Sequence, residues 1–312
     1  MIKILVIFLL FSCSLSEMYS QCCSAGNPFT GDPNNVMMKR NQIYAGVIYK
    51  HSFSDTHYNL DEPIEIISPL DEYYNYSELK LSYSVTDKLL VNADMGYFFN
   101  KTIDYGNDVN HNGFGPGDLV ISSRYNLFNI KKIMLKISPG LGVKLPVGIF
   151  DQEVNNVKLP ITVQPSSGSF KYFGSVYLMK AFYQSKISVS ASLNYEISQL
   201  IESENFYYKY GNQFIASAAL NYKMTDQFLL SGQFRVDNKA RALRENDTKV
   251  EATGYTVLFV TPQLSYKIKN KWQFNLMFDS PVYKYFNGIQ MTNKYSFSAG
   301  VSMIIDALVK EE

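Results

Sequence analysis

The 312-residue chain has few charged residues, one tryptophan and three cysteines. Its 29 Lys and Arg nearly balance its 28 Asp and Glu, which gives a formal net charge of +1. Charged residues make up 18% of the chain, against roughly 25% in an ordinary soluble domain. Because no excess of positive charge is present to attract phosphates, we expect no nucleic-acid partner.

Apolar runs long enough to cross a membrane as a helix are also missing. An unbroken apolar run covers Ile4 to Phe11, follows Lys3 and is followed by small and polar residues. A membrane-spanning helix needs about 20 apolar residues, so this run predicts a secretory signal peptide over residues 1–20, with cleavage after Ser20. The alternative is a lipoprotein signal with Cys13 lipidated, which Phe11 fits badly. A helical inner-membrane protein is excluded.

Aromatic residues, in contrast, are abundant, with 24 Tyr and 21 Phe, and they lie in segments of strict period two. In "ISVSASLNYEIS", residues 187 to 198, apolar and polar residues alternate at every position. Such alternation is typical of a strand with one apolar and one polar face. About 12 segments share the pattern, and we expect strands near residues 41–52, 74–86, 89–101, 117–128, 133–147, 170–182, 186–199, 212–224, 227–239, 253–268, 271–284 and 292–305.

The connections between these segments alternate between short and long. The long ones cover roughly 53–73, 102–116, 148–169, 200–211, 240–252 and 285–291. Tight turns at one end and longer loops at the other are typical of outer-membrane barrels. The sequence therefore predicts an all-β fold, a transmembrane antiparallel up-and-down β-barrel of about 12 strands over residues 41–305. A periplasmic segment, residues 21–40, would precede it as a candidate plug, and residues 306–312 would form a C-terminal tail.

Tyrosines on the apolar faces cluster at the strand ends. They are Tyr83, Tyr125, Tyr222 and Tyr266 near short connections, and Tyr97, Tyr195 and Tyr295 near long ones. Two aromatic belts at opposite ends of an apolar band are typical of a lipid-facing barrel wall. Tyrosine also favours strands in general, which is the plainer explanation.

Charged residues lie on the polar faces of the same segments. A Lys or Arg facing lipid at the membrane midplane would cost about 2–4 kcal/mol, so we expect these side chains to face the interior and line the lumen. Alternatively, they pair across a narrow lumen and only hold it together. The predicted lumen-lining residues are Glu78, Lys80, Asp94, Asp118, Arg124, Lys136, Lys144, Glu196, Lys223, Arg235, Asp237, Lys267 and Asp279.

Two short motifs contain candidate metal ligands. Asp108, Asn110 and Asn112 occupy positions one, three and five of a calcium loop, but Leu119 stands where the bidentate Glu should be. We therefore expect no tight calcium site, and a polar turn-forming loop explains the motif equally well. Cys22 and Cys23 are adjacent, so they could bind a soft metal, pair between chains or form a strained bond. No cofactor is expected.

The order of these features resembles a known class. A signal peptide followed by "QCCSAGNPF" and a run of barrel strands resembles outer-membrane barrels of Bacteroidetes-type bacteria. The segment Gly115-Pro116-Gly117-Asp118, continuing to Tyr125-Asn126-Leu127, is similar to a pattern in the transporter-like family named for the meta-pathway of phenol degradation. One departure is the end of the chain, where "ALVKEE" follows the last strand in place of a terminal aromatic residue.

This resemblance implies passage of small, apolar or aromatic solutes across the outer membrane of a Gram-negative bacterium. Expected partners are outer-membrane lipid, the barrel-assembly machinery and a small-molecule solute. The family has no catalytic residues to carry over, so we expect no enzyme. Two alternatives remain open. One is a non-conducting barrel that anchors other envelope proteins, and the other is a barrel lipid hydrolase using the His and Ser of "HSFSDTH", residues 51 to 57.

Overall fold

The protein folds into one closed antiparallel barrel. The computed structural model describes residues 38–307 except 67, 155, 183–185, 204–205 and 270. The twelve barrel strands are β1 (Gln42–Ser54), β2 (Asp71–Ser84), β3 (Leu89–Gly106), β4 (Val109–Tyr125), β5 (Leu135–Leu145), β6 (Lys171–Ala181), β7 (Ile187–Ser198), β8 (Gln213–Lys223), β9 (Phe228–Lys239), β10 (Tyr255–Ile268), β11 (Trp272–Thr292) and β12 (Tyr295–Asp306). Each strand pairs with the next, and β12 pairs with β1 from Gln42–Asp306 to Phe53–Tyr295. The predicted fold class is confirmed.

Polar side chains lie inside the barrel and apolar side chains lie outside. In β2, Glu78, Lys80 and Ser82 are buried, whereas the intervening Leu79 and Leu81 are 46% and 40% exposed. The same alternation appears in β7 and in the first half of β11. Because successive side chains of a strand point to opposite faces, the period-two pattern of the sequence becomes a polar interior and an apolar outer wall.

Aromatic rings are exposed on this outer wall near the strand ends. Tyr83, Tyr125 and Tyr222 lie at the end with short connections, and Tyr97 and Tyr195 lie toward the other end. Among the described residues, no helix has the length and apolar character needed to cross a membrane.

Two of the predicted long connections are wrong. Residues 102–116 belong almost entirely to β3 and β4, which meet in a turn at Asn107 and Asp108. These two residues have φ angles of 52° and 63°, as an Asn-Asp pair in a tight hairpin turn tolerates. Residues 285–291 belong to β11, which continues to Thr292 and meets β12 across Asn293 and Lys294. The barrel wall is therefore taller on these two sides.

Four longer connections remain at the end of the barrel where Tyr97 and Tyr195 lie, which we call the outer end. Residues 55–70 contain a small hairpin, Thr56–Leu60 with Glu62–Ile64, that adds to the edge of β11. Residues 146–170, 199–212 and 240–254 contain the short pairs Glu153–Val154 with Val157–Lys158, Ile201–Ser203 with Phe206–Tyr208, and Leu243–Arg244 with Thr248–Lys249.

The opposite end, which we call the inner end, has shorter connections. They include residues 85–88 and 224–227, and the longer 126–134, which contains Phe128–Ile130 and a 3-10 turn at Lys131–Ile133. The predicted signal peptide, Cys13, Cys22, Cys23, most of the 21–40 segment and most of the C-terminal tail lie outside the described residues.

Candidate functional site

The connection between β5 and β6 folds into the barrel. We call residues 146–170 the inserted loop. Within it, Leu159, Val163, Gln164 and Ser166 are at most 5% exposed. Val163 and Leu159 pack against Ile103 of β3. From its length alone this segment was predicted to be an outside loop, but it narrows the outer mouth from within.

A carboxylate on the barrel wall holds the tip of the inserted loop. The Ser166 hydroxyl donates to Asp118 Oδ1 at 2.5 Å, and the backbone N–H of Ser167 donates to the same oxygen at 3.1 Å. The Ser167 hydroxyl donates to Asp118 Oδ2 at 2.6 Å. Hydrogen bonds to a charged acceptor are stronger than neutral ones, so Asp118 is the main polar anchor of the tip.

Two further tethers come from other parts of the barrel. Lys101 Nζ of β3 donates to the carbonyl oxygen of Gln164 at 3.2 Å. The Tyr210 hydroxyl, between β7 and β8, donates to the carbonyl oxygen of Ser167 at 3.0 Å. The loop is therefore attached to wall elements that are far apart in sequence.

Glycines let the loop backbone approach the wall. A Cβ atom at Gly113 of β4 would collide with the carbonyl oxygen of Val163. A Cβ atom at Gly148, in the loop itself, would collide with the carbonyl oxygen of Pro116. Close backbone approach is a common reason for glycine within a strand. The "GFGPGD" stretch of β4 therefore forms the surface on which the inserted loop lies.

Ion pairs lie in the interior below the loop. Lys80 Nζ lies 2.8 Å from Glu78 and 3.7 Å from Asp94. Glu196 of β7 binds Lys144 at 2.6 Å through one oxygen and lies 3.9 Å from Lys171 through the other. Charges taken out of water are tolerated when they are paired in this way.

A third group of charges lies around Asp279 of β11. Its carboxylate is 3.4 Å from Lys50 of β1 and 3.6 Å from Arg235 of β9. Thr261 of β10 donates a hydrogen bond to it at 2.5 Å. This carboxylate therefore connects four strands on both sides of β11.

A cavity of about 120 Å³ lies beneath the inserted loop. Loop residues, including Thr162 and Pro165, form part of its lining. Its aromatic lining consists of Tyr76, Phe98 and Tyr210, and its charged lining of Glu78, Lys101, Asp118, Lys144, Lys171, Glu196 and Lys239. The cavity can therefore offer both ring faces and ammonium groups to a solute.

A larger space of about 500 Å³ lies at the inner end and is lined by Tyr44, Lys223 and Lys267, among others. Met38, which precedes β1, is buried against Tyr44 and Leu90. Both Tyr44 and Leu90 are on the buried face of their strands. Met38 therefore lies at the inner mouth.

The predicted lumen-lining residues differ in how far their side chains are buried. Glu78, Lys80, Asp94, Glu196, Arg235 and Asp279 are buried, and Asp118, Arg124, Lys136, Lys144, Asp237 and Lys267 are partly buried. Lys223 is at the inner rim, where it pairs with Asp226 of the turn at 2.7 Å, with 55% of its side chain exposed. Sequence reasoning missed Lys171 and Lys239, which lie at strand ends, and Lys101, which was predicted to end a strand that continues to Gly106. The contacts of Lys101 with Gln164 and of Lys171 and Lys239 with Tyr210 depend on distant loops.

The calcium-like motif forms a different structure from the predicted loop. Asp108 is in the two-residue turn, and Asn110 and Asn112 follow on β4. The Thr102 hydroxyl donates to Asn112 Oδ1 at 3.0 Å. Within the described part of the chain, no group of three or more His, Cys, Asp or Glu side chains is placed to hold a metal ion. The expected weakness of calcium binding stays a prediction.

The His and Ser side chains of "HSFSDTH" have separate partners. His51 Nδ1 is 2.9 Å from Asn75 Oδ1. Ser52 is buried and accepts a hydrogen bond from Asn293 Nδ2 at 2.6 Å. Because consecutive strand residues point to opposite faces, His51 and Ser52 are not placed to act together as a hydrolase pair.

Comparison with solved structures defines the class of fold. The COG4313 outer membrane channel from Pseudomonas putida F1 matches with a TM-score of 0.71 at 12% identity, covering 88% of this chain and 100% of that one. The NanC porin matches with a TM-score of 0.50 at 13% identity, covering 83% of this chain and 98% of that one. No family model and no curated protein matches the chain.

At these identities the likeness concerns the fold alone. The protein therefore has the fold of outer-membrane barrels. The resemblance to Bacteroidetes-type barrels and to the family named for the meta-pathway of phenol degradation stays a prediction.

Proposed function

We propose that the protein is an outer-membrane channel that admits small solutes through a barrel narrowed by the inserted loop. The observation that supports this most directly is the combination of an apolar outer wall with a polar interior that contains a cavity. A barrel of 12 strands is wider than the eight-stranded kind that side chains alone can fill. The interior can therefore contain both a loop and a solute.

The outer wall also indicates the location. Closed barrels and helices are the structures that satisfy every backbone hydrogen bond in lipid. An apolar band with aromatic residues at both ends would lie in the outer membrane, with lipid as its first partner. Export through the signal peptide of residues 1–20 and insertion by the barrel-assembly machinery complete this proposal.

The inner mouth is the second point of restriction. Met38 is buried between Tyr44 and Leu90, so residues 21–37 can continue from it into the inner space. These residues would restrict passage from the periplasmic side, as the inserted loop does from outside. The lining rings Tyr76, Phe98 and Tyr210 offer surfaces on which small aromatic solutes can stack.

Conductance of the purified protein tests the channel. The full-length barrel is compared in planar bilayers and in liposome swelling with a variant lacking Cys22 to Asn35. We expect both to pass ions and small solutes, and the shortened variant to pass them faster. A variant with the same number of residues replaced by Gly and Ser separates the loss of the plug from the loss of chain length.

A different result would favour the alternative function. If the full-length and shortened barrels both insert and both stay impermeable, the ion pairs fill the lumen. The protein would then be a non-conducting barrel that anchors other envelope proteins. The channel proposal would be wrong in that case.

A further inference from the structure

The cavity beneath the inserted loop combines aromatic rings with an excess of ammonium groups. We propose that it binds small aromatic monoanions, such as arene carboxylates, and that this binding selects the solute. The inference rests on the proposed channel function and specifies its substrate class.

The charges of the lining favour an anion. Four lysines and three carboxylates line the cavity. The charge of Asp118 is already stabilised by three hydrogen bonds from Ser166 and Ser167. Glu196 is shared between Lys144 and Lys171, so a single carboxylate serves two ammonium groups. The net positive charge of this lining attracts a solute carboxylate, whereas a solute cation would add to the excess charge.

Aromatic rings lie beside the same ammonium groups. Lys171 Nζ is 4.5 Å from the ring centroid of Tyr210, and Lys239 Nζ is 5.2 Å from it. Lys101 Nζ is 5.3 Å from the ring centroid of Phe98. Each pair offers one surface for stacking an arene and one charge for its carboxylate. A neutral arene would remove water from the ammonium groups without offering them a charge, and an inorganic anion would leave the rings without a stacking partner.

Lysine and aromatic side chains also lie side by side above the cavity, toward the outer end of the barrel. Lys158 Nζ lies 5.4 Å from the ring of Phe150 and 5.8 Å from that of Phe206. The rings of Phe206 and Tyr208 stack at 6.0 Å, and Tyr208 meets Tyr210 at 5.0 Å. Rings in mutual contact therefore connect Lys158 and Phe150 of the inserted loop with Tyr210 of the cavity lining.

Deeper in the barrel, guanidinium groups take the place of ammonium groups. Arg235 lies 4.4 Å from the ring centroid of Phe259, and Arg124 lies 5.3 Å from that of Tyr177. Arg235 and Tyr177 are near the middle of β9 and β6, and Arg124 is near the inner end of β4. An aromatic anion would meet similar pairs at several depths, which is what passage requires in place of one tight site.

The size of the cavity limits the ligand. Its volume of about 120 Å³ is below the roughly 300–1,000 Å³ of sites for drug-sized molecules. A single substituted ring is therefore a better fit than a fused or branched ligand.

Four probes test the two requirements separately. Benzoate has the ring and the charge, cyclohexanecarboxylate has only the charge, benzyl alcohol has only the ring, and benzylammonium has the opposite charge. Each is titrated against the ion current of the full-length protein in planar bilayers. We expect benzoate to interrupt the current at a roughly tenfold lower concentration than the other three, because it gains both interactions.

Variants at Tyr210 separate the ring from the tether. Tyr210→Phe loses the hydrogen bond to Ser167 but keeps the ring, and should keep the preference for benzoate. Tyr210→Leu loses both, and should bring benzoate to the level of cyclohexanecarboxylate. Lys88→Gln, in the exposed turn of residues 85–88, should leave all four probes unchanged. Calorimetric titration of benzoate into the detergent-solubilised protein gives a second readout that needs no current.

The possible results are distinguishable. If neither the full-length barrel nor the variant lacking Cys22 to Asn35 passes ions, the proposed channel function is refuted. A conducting barrel that responds to benzoate and cyclohexanecarboxylate alike overturns the aromatic part of the inference and leaves the channel function intact. A conducting barrel that responds to benzoate and benzyl alcohol alike overturns the anionic part.

Discussion

At the scale of single residues, Asp118 connects the barrel wall to the inserted loop. It accepts three hydrogen bonds from Ser166 and Ser167, and a hydrogen bond to a charged group contributes about 1.5–3 kcal/mol. We expect Asp118→Ala to lower the free energy that holds Ser166 and Ser167 against the barrel wall by about 2 kcal/mol or more. Amide exchange of residues 160–170 should accelerate and single-channel conductance should rise.

A matched control for this prediction lies at the other end of the barrel. Asp226 is also a paired carboxylate, but its partner Lys223 is exposed. Asp226→Ala should leave exchange in residues 160–170 and the conductance unchanged. If Asp118→Ala behaves in the same way as Asp226→Ala, the loop is held by its apolar contacts alone.

His57 introduces a pH dependence at the outer end. Burial lowers the pKa of His57, which is 4% exposed in the segment Thr56–Leu60 that pairs with β11. The unfolded imidazole takes up a proton near pH 6.5, and the folded one takes it up only at lower pH. The neutral folded form therefore stabilises the hairpin above about pH 6.5, and this contribution is lost as the pH falls toward the folded pKa.

Amide exchange of residues 56–64, corrected for intrinsic rates, measures this effect. Protection of these amides should be several times lower at pH 5 than at pH 8. His57→Gln should remove the difference, and His51→Gln, in β1, should not. Equal protection at both pH values in the unaltered protein would contradict the prediction.

At the scale of elements, the strands were predictable and the loop path was not. Period two located all the barrel strands because each strand contacts an apolar medium on one face and polar groups on the other. The ends of β3 and β4 were missed, although Asn107 and Asp108 are residues that form tight turns readily. The polar and glycine-rich composition of residues 102–116 led to the wrong prediction of an open loop.

The inserted loop depends on contacts that no local pattern contains. Asp118 and Ser166 are 48 residues apart in sequence, and Lys101 and Gln164 are 63 residues apart. Aromatic side chains also fill space beside glycines: the ring of Phe173 lies over Gly142 and the ring of Tyr76 lies over Gly96. The sequence therefore predicted which strand faces are polar, but not the shape of the candidate site or its lysines Lys101, Lys171 and Lys239.

The glycine surface of β4 gives a prediction for this element. Gly113→Ala would place a methyl group against the carbonyl oxygen of Val163, so the loop must shift. Gly232→Ala, on β9, has no atom within 4 Å of the added methyl group and serves as the control. Protease cleavage between residues 150 and 170 should accelerate in the first variant and stay slow in the second. Equal resistance would show that the loop is not pressed against β4.

At the scale of the whole molecule, closure of the sheet is the main source of order. Among the described residues, most apolar side chains face outward and the buried apolar clusters are small, so packing of apolar side chains is not the main force that holds the strands together. The continuous ladder of backbone hydrogen bonds, closed by β12 on β1, takes that role. Breaking the ladder at one point should therefore weaken the entire barrel.

Gel mobility tests this dependence on closure. The unboiled protein in dodecyl sulfate should keep its barrel and migrate differently from the boiled protein. Ala299 pairs with Tyr49 across the β1–β12 seam, and Ala299→Pro removes a donor there and distorts the strand. We expect this variant to lose the mobility difference, whereas Ala299→Val, which favours a strand, should keep it.

If the unaltered protein migrates identically before and after boiling and fractionates with soluble proteins, the membrane barrel itself is refuted. If Ala299→Pro also keeps its mobility difference, the β1–β12 seam is not the weak point of the barrel. The interior ion pairs around Asp279 then hold β11, β12 and β1 together even when the seam is disturbed.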